Sequence, residues 1–378
     1  MIIHVVRPGE SLFSIARSYG VTPSAIVAAS QPPNPNRLVP GQTLLIPQQA
    51  VENRPVIEIN AYIEPKGTQE DANIVDQVAE GLTYLTIFSY QVQADGSITT
   101  PKDEIALNVA KRNRIMPILA LTNFSAGRFQ SDVGRMVLRN LEIQNRIINQ
   151  VLSIATQKGY RGINIDFEYI YPEDRESYNQ FLRNLVDKAK PNGLIVVTAL
   201  APKRSATQKG LLYEAHDYAA HGQIVDFSIL MTYEYGWSGG PPMAVAPPNQ
   251  VRRVLEYAVS VMPRNKIMMG MPLYGYDWTL PYVPGGAWAK RIGTQQAYIL
   301  AAEKGGRIQY DQTSQSPYFH YREAGKYHVV WFEDARSMQA KFNLIKEFQL
   351  RGGSYWELGS EFPQNWTLLT SMFQIKKL

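Results

Sequence analysis

The chain has 378 residues, 45% of them hydrophobic, with 27 glycines and 24 prolines; this is long enough for a small module plus a domain with a large core, and it excludes a disordered or collagen-like chain. Its 38 basic and 33 acidic residues leave a formal charge of +5, spread without a dense basic block, so the chain pulls weakly on anionic surfaces and lacks the footprint of a nucleic-acid binder. The absence of cysteine excludes disulfides, thiolate metal sites and a cysteine nucleophile. No apolar run reaches the ~18 residues of a membrane helix, and Met1 to Pro8 lacks the basic-then-apolar order of a secretory signal. Neither a nucleic-acid nor a membrane partner is expected, any route to the outside is of another kind, and a monomer is expected.

Residues 1–48 read as strand, helix, helix, strand. His4 to Val6 is a strand and Arg7-Pro8-Gly9-Glu10 a turn. Ser11 is an N-cap for a helix carrying Leu12, Ile15, Ala16 and Tyr19 on one face, stopped by Gly20. Thr22-Pro23 opens a second helix, and a Pro- and Asn-rich loop leads to Gly41-Gln42-Thr43-Leu44-Leu45-Ile46-Pro47. These segments, with Tyr19-Gly20-Val21, resemble a LysM module. The resemblance implies binding of N-acetylglucosamine-containing glycans, with sugar placed at Gly9, Glu10, Ser11 and Leu12, extending to Phe13, and along Gln31 to Asn36, including Asn34 and Pro35. A cap packed on the large domain is the alternative. Residues 49–55 read as a linker.

From Val56 to the C-terminus, eight short apolar runs alternate with helical patterns: 56–59, 83–88, 115–120, 162–167, 194–199, 227–231, 266–271 and 353–356. That alternation predicts an α/β fold, a (β/α)8 TIM barrel. A helix is expected over Leu138 to Ala155 with Leu141, Ile148, Leu152 and Ala155 on its buried face, and another through Tyr178 to Ala189 ending at Pro191-Asn192-Gly193. The interval between the seventh and eighth strands is too long for one helix, and a small α+β insertion is expected at about 276–330.

Chemistry in such a barrel belongs at the C-terminal strand ends. On the fourth run, Asn164, Asp166 and Glu168 alternate with Ile163, Ile165 and Phe167, so with the apolar set toward the helices the polar set faces the interior. Same-face neighbours are about 7 Å apart, and an ionised Asp166 would hold a proton on Glu168, as general acid catalysis requires. Capping of the next helix or a structural ion pair is the alternative for such a pair.

Gly162-Ile163-Asn164-Ile165-Asp166-Phe167-Glu168 resembles the D-G-x-D-x-D-x-E signature of the chitinase-like glycoside hydrolases of family 18, with Arg161 and Asn164 in place of the first two acids. Met231-Thr232-Tyr233-Glu234 matches a Met-x-Tyr-Asp motif on the sixth strand, with Glu for Asp. Gly270-Met271-Pro272-Leu273-Tyr274-Gly275 matches a Gly-x-Pro-x-Tyr-Gly motif on the seventh, and Trp356 the tryptophan of the eighth. With the LysM-like module, the chain resembles spore-cortex-lytic N-acetylglucosaminidases.

The resemblance implies retaining, substrate-assisted hydrolysis of the β-1,4 bond after N-acetylglucosamine, without cofactor or metal. Glu168 would be the acid and base, Asp166 would orient the acetamido group, and Tyr233 would donate to its oxygen. Asn123, Asn164, Glu234, Trp237, Tyr274 and Trp356 would bind the sugar, with Tyr235 and Trp278 on the rim. The expected substrate is peptidoglycan of spore cortex or cell wall, the expected location coat, cortex or wall. A chitinase, or a non-catalytic wall-binding or coat protein, are the alternatives.

Overall fold

The structure, a computed structural model, describes residues 1–48 and 53–378, so most of the expected linker lies outside the described residues. In the N-terminal module, strands Ile2–Val5 and Thr43–Ile46 pair antiparallel and flank helices Leu12–Tyr19 and Pro23–Ser30. The Ser11 hydroxyl accepts from Ser14 N–H, Gly20 closes the first helix in the left-handed region, and Thr22 caps the second, so short polar side chains satisfy helix ends where the sequence places them.

The module's own core is small: Val6, Leu12, Ile15, Ala16, Ile26, Leu44 and Ile46. A core of that size is marginal alone, and the module leans on its neighbours. Ala29 and Leu45 join the main core of the large domain, and Val39 joins the core of the insertion. Hydrogen bonds seal this junction. Thr43 Oγ1 meets Tyr298 OH at 2.8 Å and Gln364 Oε1 at 2.9 Å, Gln364 Nε2 donates to the Thr43 carbonyl at 2.7 Å, and Ile308 N–H to the Pro40 carbonyl at 3.0 Å.

The large domain is the expected barrel. Its parallel strands are Val56–Ile63, Tyr84–Val92, Met116–Thr122, Gly162–Asp166, Ile195–Leu200, Phe227–Leu230, Ile267–Pro272 and Gly352–Trp356, and the first pairs with both the second and the eighth to close the ring. Two layers of side chains follow from the period of two. Ile163, Ile165 and Phe167 pack under the surrounding helices, whereas Tyr62, Tyr84, Phe88, Ile118, Ala120, Phe227, Ile229 and Met268 fill the interior. A buried hydrogen-bonded chain, Thr86 to Asn60 to Ser354, crosses the middle. At the bottom, Arg351, Lys376 and Tyr84 converge on the Glu58 carboxylate.

Two elements differ from expectation. The helix foreseen from Leu138 is two helices, Ser131–Arg139 and Leu141–Lys158, because the Asn140 side chain accepts from Glu142 N–H and Ile143 N–H and restarts the turn. Leu141, expected on the buried face, is the first residue of the second helix and is 65% exposed, while Ile148 and Ala155 further along are buried as expected. The insertion starts at Tyr274, slightly earlier than expected, as strand Tyr274–Leu280, and runs to Trp331. It is a five-stranded antiparallel sheet with one helix, Thr294–Lys304.

Gly41 is where the module touches the insertion most closely. Its φ is +91°, and a Cβ there would lie 1.9 Å from the Ile308 carbonyl oxygen, whereas Gly9, at φ +82°, has open space around it. Gly41→Ala combines backbone strain with a backbone clash and should cost about 2 kcal/mol or more; Gly9→Ala, with strain alone, should cost about 1–2 kcal/mol. Urea unfolding of the two variants checks this, and equal losses would contradict the docking described.

Candidate active site

The fourth strand stops hydrogen bonding at Asp166, so Glu168 stands just beyond it, at the C-terminal mouth of the barrel. Its backbone is held on both sides. The Asn123 amide, from the end of the third strand, donates to the Glu168 carbonyl at 2.8 Å and accepts from its N–H at 3.0 Å. Buried His216 donates from Nε2 to the Phe167 carbonyl at 2.9 Å while its Nδ1 accepts from Ala201 N–H at 2.8 Å. Burial lowers the His216 pKa to about 4, so the ring stays neutral and keeps one donor and one acceptor. Ser131 Oγ donates to the Tyr169 carbonyl, and Tyr169 itself takes a φ of +53° as the chain turns away.

Asp166 is 4% exposed, and one of its carboxylate oxygens is shut from water with no hydrogen-bond partner among the described residues. Burial raises its pKa, and burial together with the nearby Asp166 and Glu234 charges raises that of Glu168 well above the carboxylate range. The two carboxyls titrate as a pair that retains a proton longer than separate acids would.

Around them stand groups from other strand ends. Tyr233 follows the sixth strand, and burial beside Tyr62 and the acids raises its phenol pKa. Gly270 of the seventh strand makes room for it, since a Cβ there would lie 2.9 Å from the Tyr233 ring and 2.4 Å from the Leu230 carbonyl. Glu234, at φ +61°, accepts from the hydroxyls of Tyr274 and Tyr276, and the Arg291 guanidinium lies 4.1 Å from the Tyr274 ring centre. Trp356 ends the eighth strand, with its ring 5.3 Å from Tyr62 and 5.0 Å from Phe88. Trp237 and Trp288 meet edge to face, centroids 6.0 Å apart, and both are exposed.

Comparison with known proteins places this arrangement. The sequence profile of glycosyl hydrolases family 18 matches residues 58–361.

The chain belongs to glycosyl hydrolases family 18.

A LysM domain profile matches residues 4–47 ahead of the family 18 barrel, and the chain is a glycoside hydrolase with a glycan-binding module. It is 44% identical to the cortical fragment-lytic enzyme of Bacillus subtilis, covering 100% of this chain and 99% of that protein, and 43% identical to the enzyme of the same name from Bacillus cereus, covering 99% of each. Among solved structures, the Bacillus megaterium spore cortex-lytic enzyme SleL superposes with a TM-score of 0.96 at 40% identity, covering 100% of this chain and 99% of that one.

Within the family 18 barrel, several expected sugar contacts lie elsewhere. Asn123 spends its side chain on the Glu168 main chain and on the Gln130 carbonyl, so it positions the acid rather than facing a ligand. Asn164 is fully buried below Asp166, its amide donating to Tyr62 OH at 2.7 Å. Tyr274 is buried with its hydroxyl on Glu234, and Trp278, expected on the rim, is buried with its indole N–H on the Gly240 carbonyl. In the LysM module, Glu10 is bound to His4 and to Arg7 N–H, Ser11 caps a helix, Leu12 lies in the core, and Asn34 accepts from Asn36 N–H. Their backbones, with exposed Phe13, are what the loops present. Tyr62 was missed although Glu58-Asn60-Tyr62 alternates with apolar residues as the fourth strand does. His216 and Arg291 come from irregular or inserted segments and carry no such signal.

A carboxyl whose folded pKa is raised binds its proton more tightly in the native chain than in the unfolded one. The fold therefore loses stability as pH climbs from the ordinary carboxyl range near ~4 through the raised value. Asp166→Asn should remove that loss, so its melting temperature should gain on the wild type between pH 5 and 8; an unchanged gap would refute the unneutralised burial. Asn123→Ala should lower kcat about 10- to 100-fold by loosening Glu168 with a smaller change in KM, read from steady-state kinetics.

Proposed function

We propose that this chain cleaves the β-1,4 bond on the reducing side of N-acetylglucosamine in peptidoglycan, and that its substrate is spore-cortex glycan already cut into fragments. The observation that carries the reading is the proton-retaining pair Asp166 and Glu168 at the barrel mouth, in a chain alike over its full length to enzymes named for lysis of cortical fragments. Coat or cortex is the location that fits, with the wall glycan as partner.

The chemistry follows from what each group can do. Protonated Glu168 gives its proton to the departing glycosidic oxygen. The acetamido oxygen of the sugar itself attacks the anomeric carbon, forming a cyclic oxazolinium ion, so no protein nucleophile is needed. The Asp166 carboxylate, turned toward the mouth, accepts the acetamido N–H, which aligns the acetamido oxygen for attack and stabilises the positive charge. Tyr233 keeps its phenolic proton and donates to the acetamido oxygen. Glu168, now ionised, then takes a proton from water, which opens the ring from the same face and leaves the anomeric configuration retained. Trp356 offers an apolar face to the distorted sugar. Glu234, fixed by two tyrosines, faces the same ring with the longer arm that Glu has over Asp.

Glu168→Gln should reduce turnover of cortex fragments by at least about a thousandfold while the variant still binds them; a wild-type-like cut pattern would remove Glu168 from the role of acid. The kcat/KM profile should fall on its alkaline limb as Glu168 loses its proton, above the ordinary glutamate range. Cortex fragments, vegetative wall and chitin oligomers digested in parallel, with new reducing ends identified by mass, test the substrate. Chitin turnover equal to that of cortex would favour a chitinase, and no cutting by the wild type a wall-binding scaffold.

A further inference from the structure

The N-terminal module and the insertion enclose a cleft of about 410 Å³ well apart in sequence from the barrel-mouth residues. One wall is the segment Ile3 to Pro8, the other Arg307 and Ile308, with Tyr19 and Gly41 between them. We propose that this cleft is a second binding site, for a short peptide bearing a carboxylate, of the kind that branches from the glycan of peptidoglycan. The inference rests on the reading of peptidoglycan as substrate.

Three features fit that ligand. First, Arg7 and Arg307, which line the cleft, are exposed and form no ion pair among the described residues, whereas Arg336 is paired with Asp334 and Arg37 donates to the Ala302 carbonyl. A planar guanidinium recognises a carboxylate through two parallel hydrogen bonds. Second, strand Ile2–Val5 belongs to a sheet of two strands and pairs only with Thr43–Ile46 among the described residues. Its outer edge can therefore take main-chain hydrogen bonds from an extended peptide. Third, the cleft is built rather than left over. Ile308 N–H is bonded to the Pro40 carbonyl, and Gly41 lies so close to Ile308 that no side chain fits there.

The cleft is also wired to the loop at which the LysM resemblance places sugar. Buried His4 lines the cleft, with Nδ1 3.1 Å from Tyr19 OH and Nε2 2.9 Å from the Glu10 carboxylate, and Glu10 in turn accepts from Arg7 N–H. One strand of wall glycan could thus lay its sugar along Gly9 to Phe13 and its branch across Arg7 and Arg307. Chitin has neither branches nor carboxylates, so this cleft would discriminate between two polymers that present the same acetamido group at the cut.

The test uses the full chain and three probes: muramyl dipeptide, the same compound with its carboxylate converted to an amide, and chitotetraose measured in the Glu168→Gln background so that it is not cut. Wild type should bind the acidic probe at least about tenfold more tightly than the amide, with the preference shrinking as salt is added. R7Q/R307Q should abolish that preference, R7K/R307K should restore part of it, and chitotetraose affinity should not follow. Equal affinity of wild type for acid and amide, or a parallel loss for chitotetraose in R7Q/R307Q at unchanged melting temperature, would overturn the proposal. If the chain instead prefers chitin as a substrate, the reading of its function fails in the digest, while the preference for the carboxylate is still measured here without any bond being cut.

Discussion

The barrel mouth is organised around a carboxylate that the protein leaves uncompensated. Asp166 is buried, no cation pairs with it, and one of its oxygens has no partner among the described residues. A structural acid in this fold is treated otherwise. Glu58, buried at the opposite end of the barrel, is met by Arg351, Lys376 and Tyr84, and its pKa is lowered. Asp174 is bound by Arg135 and Arg139. Burial without a partner is costly, and one place where that cost has a use is where a substrate supplies the missing donor. The same burial raises the pKa of the neighbouring Glu168, and in the mechanism proposed above one desolvated site would provide both a charge to steady a cation and a proton to give away.

Holding that pocket open requires rigid backbone, and much of the surrounding polar chemistry is spent on it. The carboxamide of Asn123 and the neutral ring of His216 fix the peptide units on either side of Glu168. Tyr274 and Tyr276 fix the Glu234 carboxylate from the insertion rather than from the barrel. The insertion therefore does more than extend the wall of the cleft. It supplies the hydroxyls that aim a side chain just past the sixth strand, and Arg291, bridging the Tyr274 ring and Glu357 just past the eighth strand, ties that support back to the barrel.

The barrel was legible because each strand is buried and short, and burial leaves apolar runs that alternate with helices. The acid pair was legible because a strand forces alternate side chains to opposite faces, and Asn164, Asp166 and Glu168 break an otherwise apolar pattern. What the pattern does not carry is the use to which a polar side chain is put. Asn123 lies at a strand end, as a ligand-binding residue would, but its reach to the Glu168 backbone depends on how two loops meet. Leu141 fits the helical stripe, yet Asn140 starts a new helix there and leaves Leu141 exposed at its first position. Tyr274 and Trp278 sit beside the motifs in sequence, and it is the insertion sheet folding over them that removes them from the surface.

The junction between the module and the barrel bears on how the two cooperate. Two domains on a flexible tether gain avidity through an effective concentration that depends on the length of the tether. Here Leu45 and Ala29 are part of the barrel's core, and Thr43 is bonded to both Tyr298 and Gln364. Moving the module would expose apolar surface and strand those buried hydroxyl and amide groups, so the loop from Gly9 to Phe13 keeps a fixed distance and angle to the barrel mouth. Binding at the module then does not merely hold the enzyme near a polymer. In the mechanism proposed above, it would restrict which bond along a bound strand can reach Glu168, and a fixed geometry of that kind suits a polymer whose repeat is regular.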